Sequence, residues 1–247
     1  MNVLSIFSGI GGLELGLERA GMTVVGQVEI DPFCRKVLAK HWPEVPRHED
    51  VKTCVQWWRS EPRPAVHVVA GGFPCQPFST AGLRRATTDE RWGWPWMFDV
   101  VRELRPVYVV VENVAALLDD ADAFGWLLGD LASIGFDAEW SVLSACALGA
   151  PHMRDRLLLV AYPDRRHGQA GLGAGALRQG TVSAFDDRAS AWRDHVDRAL
   201  ETSRADDREI NGLARRMVAA GGNAVVPQVA EHIGRLIVAA DRELAAS

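Results

Sequence analysis

No apolar run in the 247-residue chain approaches the roughly 20 residues of a membrane-spanning helix, so no membrane partner is expected. The opening MNVLSIFSG lacks a basic n-region and a cleavage site; it reads as a first strand, not a secretory leader, and a cytoplasmic location is expected. Cysteine is sparse and scattered: Cys34, Cys54, Cys75 and Cys146 form no C-x-x-C pair. That spacing speaks against both a disulfide framework and a zinc site, so no metal is expected, and free thiols are the default. There is no surplus of positive charge. The formal net charge is −5, whereas nucleic-acid-binding domains are often basic, although a local basic cleft would not show in the sum. Lys36, Lys40 and Lys52 are the only lysines. The arginine bias is explained as well by a GC-rich genome as by function, but guanidinium groups do suit phosphate and base contacts.

What is present is enough for one large α/β domain, or one domain with a small appendage, with 48% hydrophobic residues to supply a core. NVLSIF (2–7) is a short apolar run that ends in Ser-Gly, and GIGGLELGLERAG (9–21) follows with Leu13, Leu17 and Ala20 at helical spacing. TVVGQVE (23–29) predicts a second strand. DPFCRKVLAKHW (31–42) predicts a helix capped by Asp31 with Pro32 at its first position. Further strands are predicted at AVHVVAGG (65–72), PVYVVVEN (106–113), AEWSVLSACALG and DRLLLVAY, with helices at 94–105 and 121–135. This alternation from residue 2 to 161 implies a doubly wound, mostly parallel α/β sheet. After Tyr162 the pattern changes: 163–180 is glycine-rich and 181–220 holds few large apolar residues. A helical period returns over 223–244 through Val229, Ile233, Leu236 and Ile237. No internal repeat is visible.

Five short stretches carry chemistry. FSGIGGLELGL (7–17) sets a glycine-rich turn between strand and helix, where backbone N–H groups can approach a cofactor. Glu14 occupies the place of the last glycine in G-x-G-x-x-G, so it is not a dinucleotide fingerprint. Glu29, ending the second strand, stands where an acid holds ribose hydroxyls, or where it simply charges a helix N-terminus. GGFPCQPFST (71–80) places Cys75 between Pro74 and Pro77, a stiffened frame at a strand's C-terminal end. A nucleophile needs such a frame; a buried thiol is the plainer reading for a cysteine taken alone. VVVENV (109–114) brings Glu112 and Asn113 to the end of a buried strand, as a hydrogen-bonding carboxyl for a ring nitrogen or as a helix cap. In APHMRDRLLLVA (150–161), Arg154 and Arg156 alternate onto one sheet face, as surface salt bridges also do.

The order and spacing of these pieces, with GNAVVPQVAEHI (222–233) at the end, resemble the C5-cytosine DNA methyltransferase family. The resemblance runs nearly continuously over 1–162 and again over 221–240. It implies a Rossmann-like methyltransferase sheet with a reduced second region, arranged as a catalytic and cofactor-binding core (1–162), a reduced target-recognition or linker region (163–220) and a C-terminal helix returning to the core (221–247). It also implies S-adenosylmethionine as cofactor, with S-adenosylhomocysteine as product. By the same resemblance Phe7, Gly9, Gly11 and Leu13 shape the cofactor pocket. Glu29 takes the ribose, Ile30 and Val51 flank the adenine, Asp50 takes its amine, and Pro74, Asn223 and Val225 complete the site. Cys75 is the expected nucleophile toward C6 of a flipped-out cytosine, Glu112 the contact to N3 and the exocyclic amine, and Arg154 and Arg156 the groups that position the base. Gln76, Ser79, Arg84 and Arg85 are the expected contacts to double-stranded DNA. Trp92, Trp94 and Trp96 either wedge against DNA or pack the base of the loop, with packing favoured for the later two.

The chain also departs from the family's pattern. His152 and Met153 stand before Arg154 where a glutamine usually opens the motif, and residues 163–220 are short for a target-recognition domain. Three arrangements stay open: a minimal recognition element using arginines such as Arg165, Arg166 and Arg178, specificity borrowed from a partner chain, and a degenerate copy that binds cofactor or DNA with little catalysis; a cognate restriction nuclease is a further candidate partner. An RNA cytosine-5 methyltransferase sharing this core is the alternative activity.

Overall fold

The computed structural model describes residues 1–75, 92–144, 147, 155–163 and 225–246. Among the described residues seven strands form one sheet: β1 (Asn2–Ile6), β2 (Thr23–Val28), β3 (Arg47–His48), β4 (Val68–Gly71), β5 (Tyr108–Val114), β6 (Phe136–Ser144) and β7 (Asp155–Pro163). Their spatial order is β3-β2-β1-β4-β5-β7-β6. The pairs from β3 through β5 are parallel, and β7 alone runs antiparallel to both its neighbours. The expected doubly wound, mostly parallel sheet is therefore present.

Both faces of this sheet are covered, which explains why its central strands read as unbroken apolar runs and not as alternating ones. Along β5, Val109 and Val111 enter one layer while Tyr108 and Val110 enter the other. The first layer packs on α3 (Cys54–Arg59), α4 (Trp94–Leu104) and α5 (Ala121–Ser133) through residues such as Trp58, Met97 and Leu127. The second packs on α1 (Gly12–Arg19) and the C-terminal helix α6 (Pro227–Ala246) through Leu13, Leu17, Val229, Ile233 and Ile237. Helix α2 (Pro32–His41) begins as expected: Asp31 caps it by accepting from the backbone N–H groups of Phe33 and Cys34, with Pro32 at the first position.

Several features lie outside the sequence-based expectation, among them the two-residue β3 and a 3-10 turn at Ala115–Asp119. A 3-10 turn at Val51–Thr53 runs into the six-residue α3, too short for a helical period to register. Of the strand expected over AEWSVLSACALG, Ala138–Ser144 lies in β6, and Cys146 lies outside the described residues.

Helices α1 and α6 meet with almost no space between their backbones. A Cβ on Gly16 would overlap the Pro227 carbonyl oxygen and Ala230 Cβ, and one on Gly12 would overlap the Val225 carbonyl oxygen. The glycines of the 9–21 stretch thus serve helix packing as well as the turn. The strand order reverses between β1 and β4, and at such a switch point the loops leaving the strand ends diverge and open a crevice.

Candidate active site

Three strand ends build one wall of that crevice. Where β1 stops, Phe7 is held at φ 56°, a left-handed conformation rare for a residue with a side chain, and Gly9 and Gly11 follow at φ 56° and 93°. Gly11 is also pressed under Trp42, so its missing side chain serves packing against α2. Where β2 stops, the carboxylate of Glu29 is buried and accepts from the backbone N–H of Gly9 through Oε2 and of Asp31 through Oε1, both at 2.7 Å. The next residue, Ile30, is 74% exposed, an apolar side chain offered to solvent beside an anchored acid. Where β3 stops, Asp50 Oδ1 accepts from the backbone N–H of Lys52 and starts the 3-10 turn that carries Val51. A carboxylate that can share two hydroxyls, an exposed apolar platform and turn N–H groups together fit a nucleoside.

The other wall is built from β4, β5 and β7. Past β4 the chain runs Gly72-Phe73-Pro74-Cys75, and three contacts hold it. Asn113 Nδ2 donates to the Phe73 carbonyl (3.1 Å), Gly93 N–H donates to the Pro74 carbonyl (3.0 Å), and Cys75 pairs with Trp92 in an isolated antiparallel bridge. Trp92 is itself buried, edge-on to Phe73 with 5.2 Å between ring centroids. Cys75 is partly exposed at the end of this frame. Burial, with a smaller contribution from the charge of Asp120, pushes its thiol up to about 12, so it rests protonated.

Glu112 is buried at the end of β5, and its Oε1 lies 3.1 Å from Arg156 Nε. The pairing follows from register: Glu112 is opposite Leu158 and Val114 opposite Arg156, so the arginine projects on the same face one diagonal away. Arg156 Nη1 also donates to the Asp155 carbonyl. A Cβ on Gly72 would stand 3.2 Å from Glu112 Oε2. The strand end leading to Cys75 and the strand end bearing Glu112 are therefore immediate neighbours.

Most of the described site residues thus fall on two walls. Phe7, Gly9, Gly11, Glu29, Ile30, Asp50 and Val51 share the first wall, while Pro74, Cys75, Glu112 and Arg156 share the second. Val225 packs its carbonyl against Gly12 at the start of α1. Leu13 lies in the core among the α1 and α6 side chains, so any contribution it makes to a pocket is through its backbone. Gln76, Ser79, Arg84, Arg85, Arg154 and Asn223 lie outside the described residues, as does the whole of 164–224. Trp92 and Trp94, weighed as DNA wedges, are buried, and Trp94 Nε1 donates to Asp130; both pack the loop base. Gly72 and Asn113 had no assigned role of their own in the sequence. Asn113 alone left a signal, a polar residue inside an apolar strand.

The chain matches the family described as C-5 cytosine-specific DNA methylase over residues 1–191. It is 33% identical to the Type II methyltransferase M2.BsuMI of Bacillus subtilis over 168 residues, which is 65% of this chain and 42% of that protein. To M.NgoMIV of Neisseria gonorrhoeae it is 33% identical over 160 residues, 64% of this chain and 50% of that one. The chain spans about half the length of the curated relatives it matches. Among solved structures, a putative DNA modification methyltransferase encoded within an Escherichia coli prophage superposes with TM-score 0.55 and 26% identity, over 66% of this chain and 47% of that one. An Entamoeba histolytica methyltransferase superposes with TM-score 0.56 at 20% identity, over 70% of this chain and 56% of that one, which speaks to the fold alone. The chain belongs to the C-5 cytosine-specific DNA methylase family.

Proposed function

We propose that this chain transfers a methyl group from S-adenosylmethionine to C5 of cytosine in double-stranded DNA, with Cys75 as nucleophile. The observation that carries the proposal is the placement of Cys75: partly exposed, on a turn tied at both preceding carbonyls, beside the Glu112–Arg156 pair. The family and the Type II relatives support the substrate class, and a restriction–modification setting comes with them as part of the proposal.

The cofactor supplies an electrophilic methyl group on a sulfonium centre. It would be held by Glu29 at the ribose, Ile30 and Val51 about the adenine, Asp50 at its amine and the Phe7–Gly11 turn. The remaining chemistry falls to the protein. C5 of cytosine is a poor nucleophile in the intact ring, and the base is out of reach inside a duplex, so the nucleotide is turned out into the crevice. Cys75 would give up its proton to solvent as Sγ bonds to C6; the C5=C6 π pair moves to C5, which would take the methyl carbon as that carbon's bond to the sulfonium sulfur breaks and its electron pair leaves with the sulfur in S-adenosylhomocysteine. Loss of the C5 proton then restores the double bond as the Sγ–C6 bond breaks, so one methyl group is gained and one proton released. Glu112 accepts from the exocyclic amine and, carrying a proton in the substrate complex, donates to N3, while Arg156 fixes that carboxyl group and offsets charge on the ring. Because burial keeps the resting thiol protonated, deprotonation belongs to the substrate complex, which protects the free enzyme from adventitious alkylation. Arg154 joins Arg156 in positioning the base, and Gln76, Ser79, Arg84 and Arg85 complete the proposal on the DNA side.

The test is methyl transfer from labelled cofactor to cytosine-rich duplex DNA and, separately, to transfer RNA. The expected result is label in DNA alone, recovered as 5-methylcytosine. Label only in RNA, label at the exocyclic nitrogen, or no transfer by a folded, cofactor-binding protein would each overturn the proposal.

A further inference from the structure

Arg35 does something at the cofactor wall that no expected site residue does. It sits in the first turn of α2, with its side chain largely buried at 26% exposure. Its Nη1 donates to two successive carbonyls, Glu29 O and Ile30 O, each at 2.8 Å, and Nη2 lies 3.4 Å from Glu49 Oε2. One planar guanidinium therefore joins the ends of β2 and β3. On the β2 side it grips the backbone of the residues that present the anchored acid and the exposed Ile30. On the β3 side it holds the residue before Asp50.

We infer that Arg35 is the positioning residue of the adenosine cradle, holding the Glu29–Ile30 turn and the Glu49–Asp50 strand end at a fixed separation before ligand arrives. The inference rests on the cofactor reading proposed above and deepens it. The turn is restrained from both sides: the Glu29 carboxylate takes the N–H groups of Gly9 and Asp31, and Arg35 takes the carbonyls of Glu29 and Ile30. An exposed isoleucine is a useful platform for a ring only when its backbone is immobile, because ordering it at the moment of binding subtracts from affinity. The ion pair to Glu49 alone explains little, since an exposed partner contributes weakly. The force of the contact lies in the two charge-assisted bonds to carbonyls. A lysine has neither the planar fork nor the spread of donors to reach both carbonyls and the carboxylate.

The test compares wild type with Arg35→Ala, Arg35→Lys and Glu49→Gln in full-length chain. Calorimetric affinities for S-adenosylhomocysteine and for adenosine, thermal midpoints, and kcat and KM for S-adenosylmethionine at saturating DNA are read together. Arg35→Ala is expected to weaken both ligands by the same factor of about tenfold, equivalent to one charge-assisted hydrogen bond. The KM for cofactor is expected to rise in step while kcat changes little. Arg35→Lys should recover only part of the loss, and Glu49→Gln, on an exposed side chain, should show a smaller loss of the same kind. Should Arg35→Ala fail to fold, the other two variants decide. Wild-type affinity in all folded variants, or a fall in kcat with KM unmoved, overturns the inference. A wild-type protein that binds neither ligand overturns the cofactor reading itself, a result distinct from ligand binding that is indifferent to Arg35.

Discussion

Glu14 lies in the first turn of α1. In the sequence it served only to exclude a dinucleotide fingerprint. In the structure it is fully buried beneath the glycine turn, near Ser5 and Ser8 but without a hydrogen bond of good geometry to either. Burial pushes its carboxyl up from the ordinary 4.5 to about 7; the nearby charge of Glu29 adds to the rise, while its own backbone and the two hydroxyls oppose it. The folded protein therefore holds this proton more tightly than the unfolded chain does. The sign follows: the stability associated with Glu14 is complete below pH 4.5, is lost as pH rises toward about 7, and stays lost above. A shift of that size corresponds to about 3 kcal/mol. Glu14→Gln is expected to flatten the pH dependence by about that amount, with urea unfolding at pH 5 and pH 8 as the measurement. Parallel pH dependences in variant and wild type would show that the buried carboxyl does not titrate as inferred.

At the scale of elements, much of the plan was legible because buried parallel strands and capped helices leave plain patterns. VVVENV and the Asp31-Pro32 cap translate directly into β5 and α2. The Glu112–Arg156 pair was not legible, because it depends on β7 entering antiparallel beside β5 in a particular register. Nor was the Arg35 clamp, which bonds side chain to backbone carbonyls across a turn and leaves no periodicity. The α1–α6 contact was hidden for a related reason: glycines at 12 and 16 read equally well as a ligand turn. Gly16→Val is expected to destabilise the protein by about 1–3 kcal/mol or more through overpacking, since the groups it would strike include the Glu231 backbone nitrogen at 2.7 Å. Gly129→Ala in the middle of α5, where nothing lies within 4 Å of an added Cβ, is the contrast. It should stabilise by up to about 1 kcal/mol through helix propensity. Denaturation midpoints of the two variants check both signs; a neutral Gly16→Val would contradict the close backbone contact.

For the whole molecule, the ordered motifs of residues 1–162 were a sound guide to family and fold, since each marks a strand end and the sheet gathers strand ends into one crevice. The net charge of −5 does not by itself decide the partner, because a sum over the chain carries no position. The chain spans about half the length of its curated relatives. The central claim concerns the chemistry at the two walls of the crevice. Its most direct measurement is mass spectrometry after incubation with S-adenosylmethionine and duplex DNA carrying 5-fluorocytosine, whose C5 fluorine cannot leave as a proton does. The account predicts a covalent protein–DNA adduct carried on the peptide that contains Cys75, and none with Cys75→Ser. An adduct that survives Cys75→Ser, or a folded and cofactor-binding wild type that forms none, would contradict it.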